Sequence, residues 1–421
     1  MRGTGPAAHE AESPYAWTRL VVSVILMTIG GSGMYGVTVV LPIIQAEFSV
    51  ARSSASLPYA VTMVGFGLGG IVMGRLSDRF GAMYPVLLGA IGLGCGYVAA
   101  GMAENLWQFS LAQGLLIGFL GTSATFAPLV ADVSHWFTRR RGIAVAICAS
   151  GNYIAGAFWP PVMQHFFESA GWRETYIAIG VFSMITALAL AWMLRPRRPA
   201  LRWDAGAGHA LAAKGSATSR PLGMTPAALQ ALLCTAGVGC CVAMSMPQVH
   251  IVAYCGDLGY AAARGAEMLS LMLGFGILSR LVSGWLSDRI GGVRTLLLNS
   301  VLQCTALLMF VPSEGLVALY AASALFGLFQ GGLIPSYALI VREYFPAQEA
   351  GVRTAVVLTA TLFGMALGGW LAGAIFDMTG SYRYSFYNAI AWNLLNMSIA
   401  FFLLRRSRFE ATAGERMSVV H

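Results

Sequence analysis

The chain has 421 residues, of which 57% are hydrophobic and only 10% charged, and its mean hydropathy is +0.68. That excludes an ordinary water-soluble globule, in which about a quarter of the residues are charged. The net charge of +8 would point to nucleic acid in a soluble protein, but here its distribution along the chain carries the information, and no nucleic-acid partner is expected.

Apolar stretches long enough to cross a bilayer, about 20 residues each, recur at 17–41, 54–75, 83–102, 107–131, 142–165, 174–194, 227–253, 266–286, 293–311, 315–341, 352–376 and 384–404. They predict an all-α membrane protein with twelve spanning helices in contact with lipid. A transmembrane barrel would need short alternating segments, and these runs do not alternate. The first run reads as a helix and not as a signal peptide: its flank carries Glu10 and Glu12, it lacks a cleavage site, and it is long enough to span. Residues 1–16 and 405–421 read as short tails. Between the sixth and seventh runs, 195–226 is basic, rich in Gly and Ala and broken by prolines, the composition of a flexible linker. It separates two bundles of six helices, 17–194 and 227–404.

Charge gives the orientation. Of the 26 Lys and Arg, four (Arg52, Arg173, Arg264, Arg383) fall in odd-numbered loops and one is Arg280, and the other 21 lie at even-numbered loops and tails. By the positive-inside rule both termini are expected in the cytoplasm. Arg outnumbers Lys 25 to 1, a hint of a GC-rich bacterial genome and hence of an inner membrane. The seven cysteines lie mostly inside predicted helices without a CxxC pair and read as packing residues. No metal site and no cofactor is expected, and HExxH, GxSxG and P-loop motifs are absent from the sequence, which argues against an enzyme. Tails this short also argue against a receptor with a soluble output domain, and a monomer is expected.

"GRLSDRFGAMYPVLLG" (74–89) and "GWLSDRIGGVRTLLLN" (284–299) share glycine, leucine, serine, aspartate and arginine at an offset of 284 − 74 = 210 residues. Each copy falls between the second and third helix of its half, so the chain is a duplication. In a protein of six plus six helices this G-x-L-S-D-R-x-G signature resembles the loop motif of the major facilitator superfamily, over essentially the whole chain. The resemblance implies two pseudo-symmetric halves and a cytoplasmic gate built from Gly74, Asp78, Arg79, Gly81, Gly284, Asp288, Arg289 and Gly291. Gly74 and Gly284 would allow close helix approach. Asp78 and Asp288 would cap a neighbouring helix start, in a latch made when the inside is closed.

Three further stretches narrow the resemblance. "HWFTRRRGIAVAICASGNYIAG" (135–156), "GWRETY" (171–176) and "GGWLAGAIFDMTGSYRYSF" (368–386) are similar, in order and helix position, to the monocarboxylate transporter family and its oxalate/formate antiporter relatives. The Gly-Pro-Gly-Gly pattern of drug exporters does not occur in the fifth helix, where "GAFWPPV" (156–162) stands instead.

Arg280 lies in the eighth span, about 20 Å from Glu267 and about 12 Å from Asp288 at ~1.5 Å per residue. An isolated arginine at that depth costs about 2.5–3.5 kcal/mol on insertion scales and cannot shed its proton, so it must face water or a partner. The equivalent position of the second helix is Gly70, since 280 − 210 = 70, so the scaffold folds one half without a charge there. Arg280 therefore reads as a contact for a carboxylate, which its two parallel N–H groups match. A buried pair with an acid such as Asp132, or with a helix C-terminus, is the alternative. The resemblance implies the same contact, because the family places a substrate-binding arginine at this position. Many animal members carry an aspartate four residues earlier, where this chain has Gly276. Proton coupling is then either absent or moved, and His250 and Asp257 are the candidates for a proton carrier, each with a structural alternative. The oxalate/formate branch has a lysine in the eleventh helix, and "AVVLTATLFGMALGG" (355–369) has none. One cation suits one carboxylate.

The rest of a pocket is expected from Tyr35, Phe126, Asn152, Tyr153, His250, Gln330, Tyr337 and Phe363 near helix middles, with helix packing as the alternative for each. The reading is a proton-coupled transporter of a small monocarboxylate working by alternating access. An organic-anion exchanger of the oxalate/formate type, or a drug/proton antiporter, is the alternative.

Overall fold

A computed structural model describes residues 12–137, 140–195 and 221–418. Most of the predicted linker, 196–220, lies outside the described residues. Twelve helices are long and apolar enough to cross a membrane: α1 (Pro14–Glu47), α2 (Arg52–Phe80), α3 (Met83–Gly101), α4 (Leu106–Trp136), α5 (Arg141–Ala170), α6 (Trp172–Trp192), α7 (Pro226–Asp257), α8 (Ala262–Ile290), α9 (Gly292–Phe310), α10 (Leu316–Tyr344), α11 (Gln348–Thr379) and α12 (Tyr382–Ser407). Each matches one predicted run. Many overshoot it, because helices continue beyond the hydrocarbon layer with polar turns that hydropathy alone does not count. The predicted tail from 405 departs most, since the last helix runs on to Ser418.

The same local chemistry starts both halves. Ser13 and Thr225 cap α1 and α7 through hydrogen bonds from the amides of Ala16 and Ala228, each 3.3 Å, and each is followed by a proline. A side-chain oxygen satisfies an orphan N–H while proline presets the first turn. The duplicated motif also ends both of its helices alike: Gly81 (φ 90°, ψ 166°) after α2 and Gly291 (φ 84°, ψ 163°) after α8. Only glycine adopts this conformation without strain of about 1–3 kcal/mol. Gly291→Ala is therefore expected to lower the heat stability of detergent-solubilised protein by about that amount. Gly284→Ala, whose new Cβ would meet nothing within 4 Å, should leave the melting curve in place.

Packing repeats with the sequence. In the first half α1 lies on α5, α3 on α6 and α2 on α4, and in the second α7 lies on α11, α9 on α12 and α8 on α10. The halves meet along two seams that this symmetry exchanges, α5 against α8 and α2 against α11. Both α4 and α10 are interrupted near their middles. In α4 a π-helical stretch, Ala112–Thr122, leads to a break before Ala127, and α10 breaks at Gly331 and Gly332. Interrupted helices at corresponding places in two repeats mark where a transporter fold builds its site.

Twelve crossings place both termini on one face, here the terminal face, with the far face opposite. The two seams close toward the far face. Gly373 of α11 has the Arg52 carbonyl and Ser56 against it, and Gly369 has the Tyr59 ring. Nearer the terminal face Gly70, Gly74, Gly142, Gly284 and Gly351 have nothing within 4 Å of where a Cβ would stand. The close approach expected at Gly74 and Gly284 is thus not made in this conformation. Asp78, Arg79, Asp288 and Arg289 are exposed there.

Candidate functional site

Arg280 is carried on the stretch of α8 against which α10 breaks. The Gly331 amide donates to Ser279 Oγ at 3.0 Å, and a Cβ on Gly331 would stand 2.4 Å from the Gly276 carbonyl oxygen. Backbone contact this close requires glycine, and it fixes where the Arg280 side chain leaves the helix. The guanidinium then crosses to the first half. Its Nη1 donates to the Ala149 carbonyl of α5 at 3.1 Å, and it lies over the Tyr153 ring, 4.5 Å from the centroid. Its Nε is buried without a hydrogen-bond partner. Among the described residues no carboxylate lies within ion-pair distance of Arg280. The alternative of an Asp132 pair is overturned, because Asp132 is bound by Arg19 of α1 (Nε–Oδ2 2.6 Å, Nη2–Oδ1 3.0 Å), with both side chains buried.

The Arg280 surroundings contain part of the expected set. Tyr153 is the stacking partner. Tyr35 of α1 is buried, its ring close to Gly156 of α5, within electrostatic reach of Arg280 and Tyr153. Asn152 is half-buried against Gly31, and its amide makes no hydrogen bond to a described residue. Gly276 explains its own departure from the family pattern: a Cβ there would stand 2.3 Å from Tyr153 Cε1. An aspartate has no room while Tyr153 carries the arginine. The seam continues toward the far face through Ser270, whose hydroxyl donates to the Ala157 carbonyl. That carbonyl is available because Pro161, four residues on, has no N–H to offer it.

Other expected residues make contacts of their own. Phe126 sits at the break in α4 edge-on to Phe66, centroids 5.8 Å apart. Gln330 is buried and its Oε1 accepts from Gln248 Nε2 at 2.9 Å, leaving its own Nε2 without a partner. Tyr337, expected in the pocket, is instead a packing residue, fully buried and donating to Asn396 Oδ1 of α12 at 2.8 Å. Phe363, also expected there, lies on a stripe of exposed apolar side chains with Val356, Leu367 and Trp370. Spacings of four and seven residues make that one helix face, turned to lipid.

His250 is not beside Arg280 either. Its Nε2 lies 2.8 Å from the Gly369 carbonyl and its Nδ1 2.8 Å from the Tyr382 hydroxyl, so neither nitrogen is free for a solute. Tyr382 accepts from Arg52 Nη1 at 2.8 Å, and Arg52 makes two hydrogen bonds to Asp257, at 2.9 and 3.2 Å. The two candidate proton carriers therefore belong to one far-face network. Sequence reasoning missed Arg52 and Tyr382, though both carried a signal: Arg52 as one of four arginines in odd-numbered loops, Tyr382 within the "GSYRY" end of the family-like stretch. Arg173 and Arg264 of that same group also pair with carboxylates, Glu47 at 2.6 Å and Glu267 at 3.0 Å.

A membrane-embedded arginine at the meeting of two repeats, beside an interrupted helix, defines a membrane transporter. The model of the Major Facilitator Superfamily matches residues 21–317 and 268–417. Monocarboxylate transporter 13 of Bos taurus is 27% identical over 98% of this chain and 96% of its own length. Monocarboxylate transporter 11 of Mus musculus is 30% identical over 74% of this chain and 70% of its own. Among solved structures, a bacterial homologue of the human lysosomal transporter Spinster, inward-facing and unoccupied, superposes with a TM-score of 0.69 at 14% identity, covering 94% of this chain and 98% of that one. The chain belongs to the major facilitator superfamily and, within it, to the monocarboxylate transporter family.

Proposed function

We propose that this protein is a secondary active transporter that carries a small monocarboxylate together with a proton, by alternating access, with the substrate carboxylate on Arg280. The observation that carries the reading is a mid-helix guanidinium with one carbonyl, one aromatic face and, among the described residues, no acid for partners. A carboxylate entering from the open terminal face would supply the missing charge and accept two parallel N–H groups. Tyr35, Tyr153 and the unengaged Asn152 amide would flank it, an apolar wall with few polar groups. One cation without a neighbouring lysine favours a monoanion over a dianion, whose second charge would stay uncompensated. The names of the relatives support the same substrate class. The arginine distribution supports a terminal face in the cytoplasm of a bacterial inner-membrane protein. In that orientation the terminal face, where a Cβ on Gly74 or Gly284 would meet nothing within 4 Å, is the inward one.

Uptake of labelled organic acids into proteoliposomes, with and without an inward proton gradient, tests the reading. Gradient-stimulated accumulation of a monocarboxylate supports it. Uptake that needs internal substrate and ignores the gradient makes the protein an exchanger, and no uptake of any acid ends the proposal. Gly276→Ala provides a local check. Its methyl group displaces Tyr153, and KM for the transported acid is expected to rise about tenfold, the equivalent of ~1.4 kcal/mol, with the protein still monodisperse.

A further inference from the structure

Two of the contacts that join the halves at the far face involve Arg52 at the start of α2. Its guanidinium enters the second half, bound to Asp257 and Tyr382 and stacked on Phe376, 4.5 Å from the ring centroid. Its backbone amide and that of Ser53 donate to the two oxygens of Asp377, each at 2.8 Å, so a carboxylate of α11 caps the first turn of a helix in the other half. An acid at a helix N-terminus satisfies orphan donors and the helix dipole together. Arg52 is buried and Asp257 partly exposed, which places the pair at the rim of the closure.

The hydrogen-bond directions in this network depend on His250. A carbonyl can only accept, so the Gly369 contact puts the proton on Nε2 and leaves Nδ1 to accept from the Tyr382 hydroxyl. The Tyr382 oxygen in turn accepts from Arg52. Every role is filled when the imidazole is neutral. A second proton, on Nδ1, would turn two cationic donors toward one phenol oxygen and leave the hydroxyl hydrogen without its acceptor. The groups facing His250 are Tyr382 of α12, Arg52 of α2, Asp257 of its own helix and Asp377 of α11, with the Tyr254 ring against Tyr382. Both acids are already committed to Arg52 or to the α2 amides. Neither is hydrogen-bonded to the imidazole to balance the added charge.

We propose that Arg52, Tyr382 and His250 form a proton-operated latch, in which protonation of His250 releases Arg52 from the second half and opens the far-face entrance. Arg52 is a positioning residue: it touches no substrate but sets which face is open. The latch rests on the alternating-access reading above and adds the step by which a far-side proton changes access.

Spin labels at Met102→Cys and Met378→Cys, two exposed far-face positions in opposite halves, report the opening by double electron–electron resonance. The background lacks the seven native cysteines, and the protein is reconstituted in nanodiscs without substrate. Between about pH 8 and about pH 4, a range wide enough to charge an imidazole even when it is buried, the distance distribution of the wild-type network is expected to shift to longer values. His250→Gln keeps both contacts without a titrating ring and should stay short at both pH values. Arg52→Gln and, as a second variant, Asp257→Asn should be long at both. A pH-driven shift that survives in His250→Gln, or a short distance at high pH in both latch variants, overturns the proposal. A pH response in protein that transports no acid would sink the substrate reading and leave the latch standing. Proton-driven uptake without a distance change would do the reverse.

Discussion

Arg280→Gln is expected to lower the initial rate of monocarboxylate uptake at least about a hundredfold, since two charge-assisted hydrogen bonds at about 1.5–3 kcal/mol each are lost from the bound state. The protein should still fold, because the equivalent position in the first half is Gly70 and, among the described residues, no acid is paired with the arginine. Arg280→Lys separates charge from geometry. It keeps the cation but loses the fork and the flat stacking on Tyr153, so KM should rise more than the maximal rate falls. Uptake per unit of monodisperse protein measures both. Wild-type rates in Arg280→Gln would show that the carboxylate binds elsewhere.

The second large effect is one of stability. The Arg19–Asp132 pair between α1 and α4 is buried, with Arg19 also bonded to the Tyr15 hydroxyl at 3.0 Å and the Leu194 carbonyl at 3.2 Å, and placed over Trp136 at 4.9 Å. Removing only the acid leaves a guanidinium without its counter-charge in a low-dielectric setting. Asp132→Asn is expected to cost about 3–5 kcal/mol, seen as an earlier loss of monodisperse protein on heating in detergent. Replacing both charges, Arg19→Met with Asp132→Leu, should recover most of that loss, because an apolar pair needs no desolvation. If the double variant is no more stable than Asp132→Asn, the pair contributes through shape and not through charge balance.

These two arginines show where reading a sequence succeeds and where it stops. Both stand in apolar runs. Arg280 stood out because the repeat provides a charge-free copy of its position. Arg19, close to a predicted helix start, looked like one more flanking cation, and only the folded chain brings Asp132, 113 residues away, against it. Among aromatics and amides, Tyr153 and Tyr337 looked alike. One carries the guanidinium and the other packs on Asn396, a difference set by helix rotation. Phe363 and Leu362 are neighbours in sequence, yet Leu362 lies against Gly67 in the α2 seam while Phe363 faces outward.

The sequence by itself determined the twelve spans, the duplication, the turn glycines and the presence of one unexplained mid-membrane cation. Those follow from hydropathy, backbone stereochemistry and a repeat, all of which are local or periodic. The tertiary structure alone decided which acids meet which arginines, that His250 is bonded to Gly369 and Tyr382 and not set beside Arg280, and that α2 meets α11 at Gly373 but not at Gly70. Hydrogen bonds and ion pairs between distant helices depend on how each helix is rotated and how the bundles tilt. Neither quantity leaves a period in the chain.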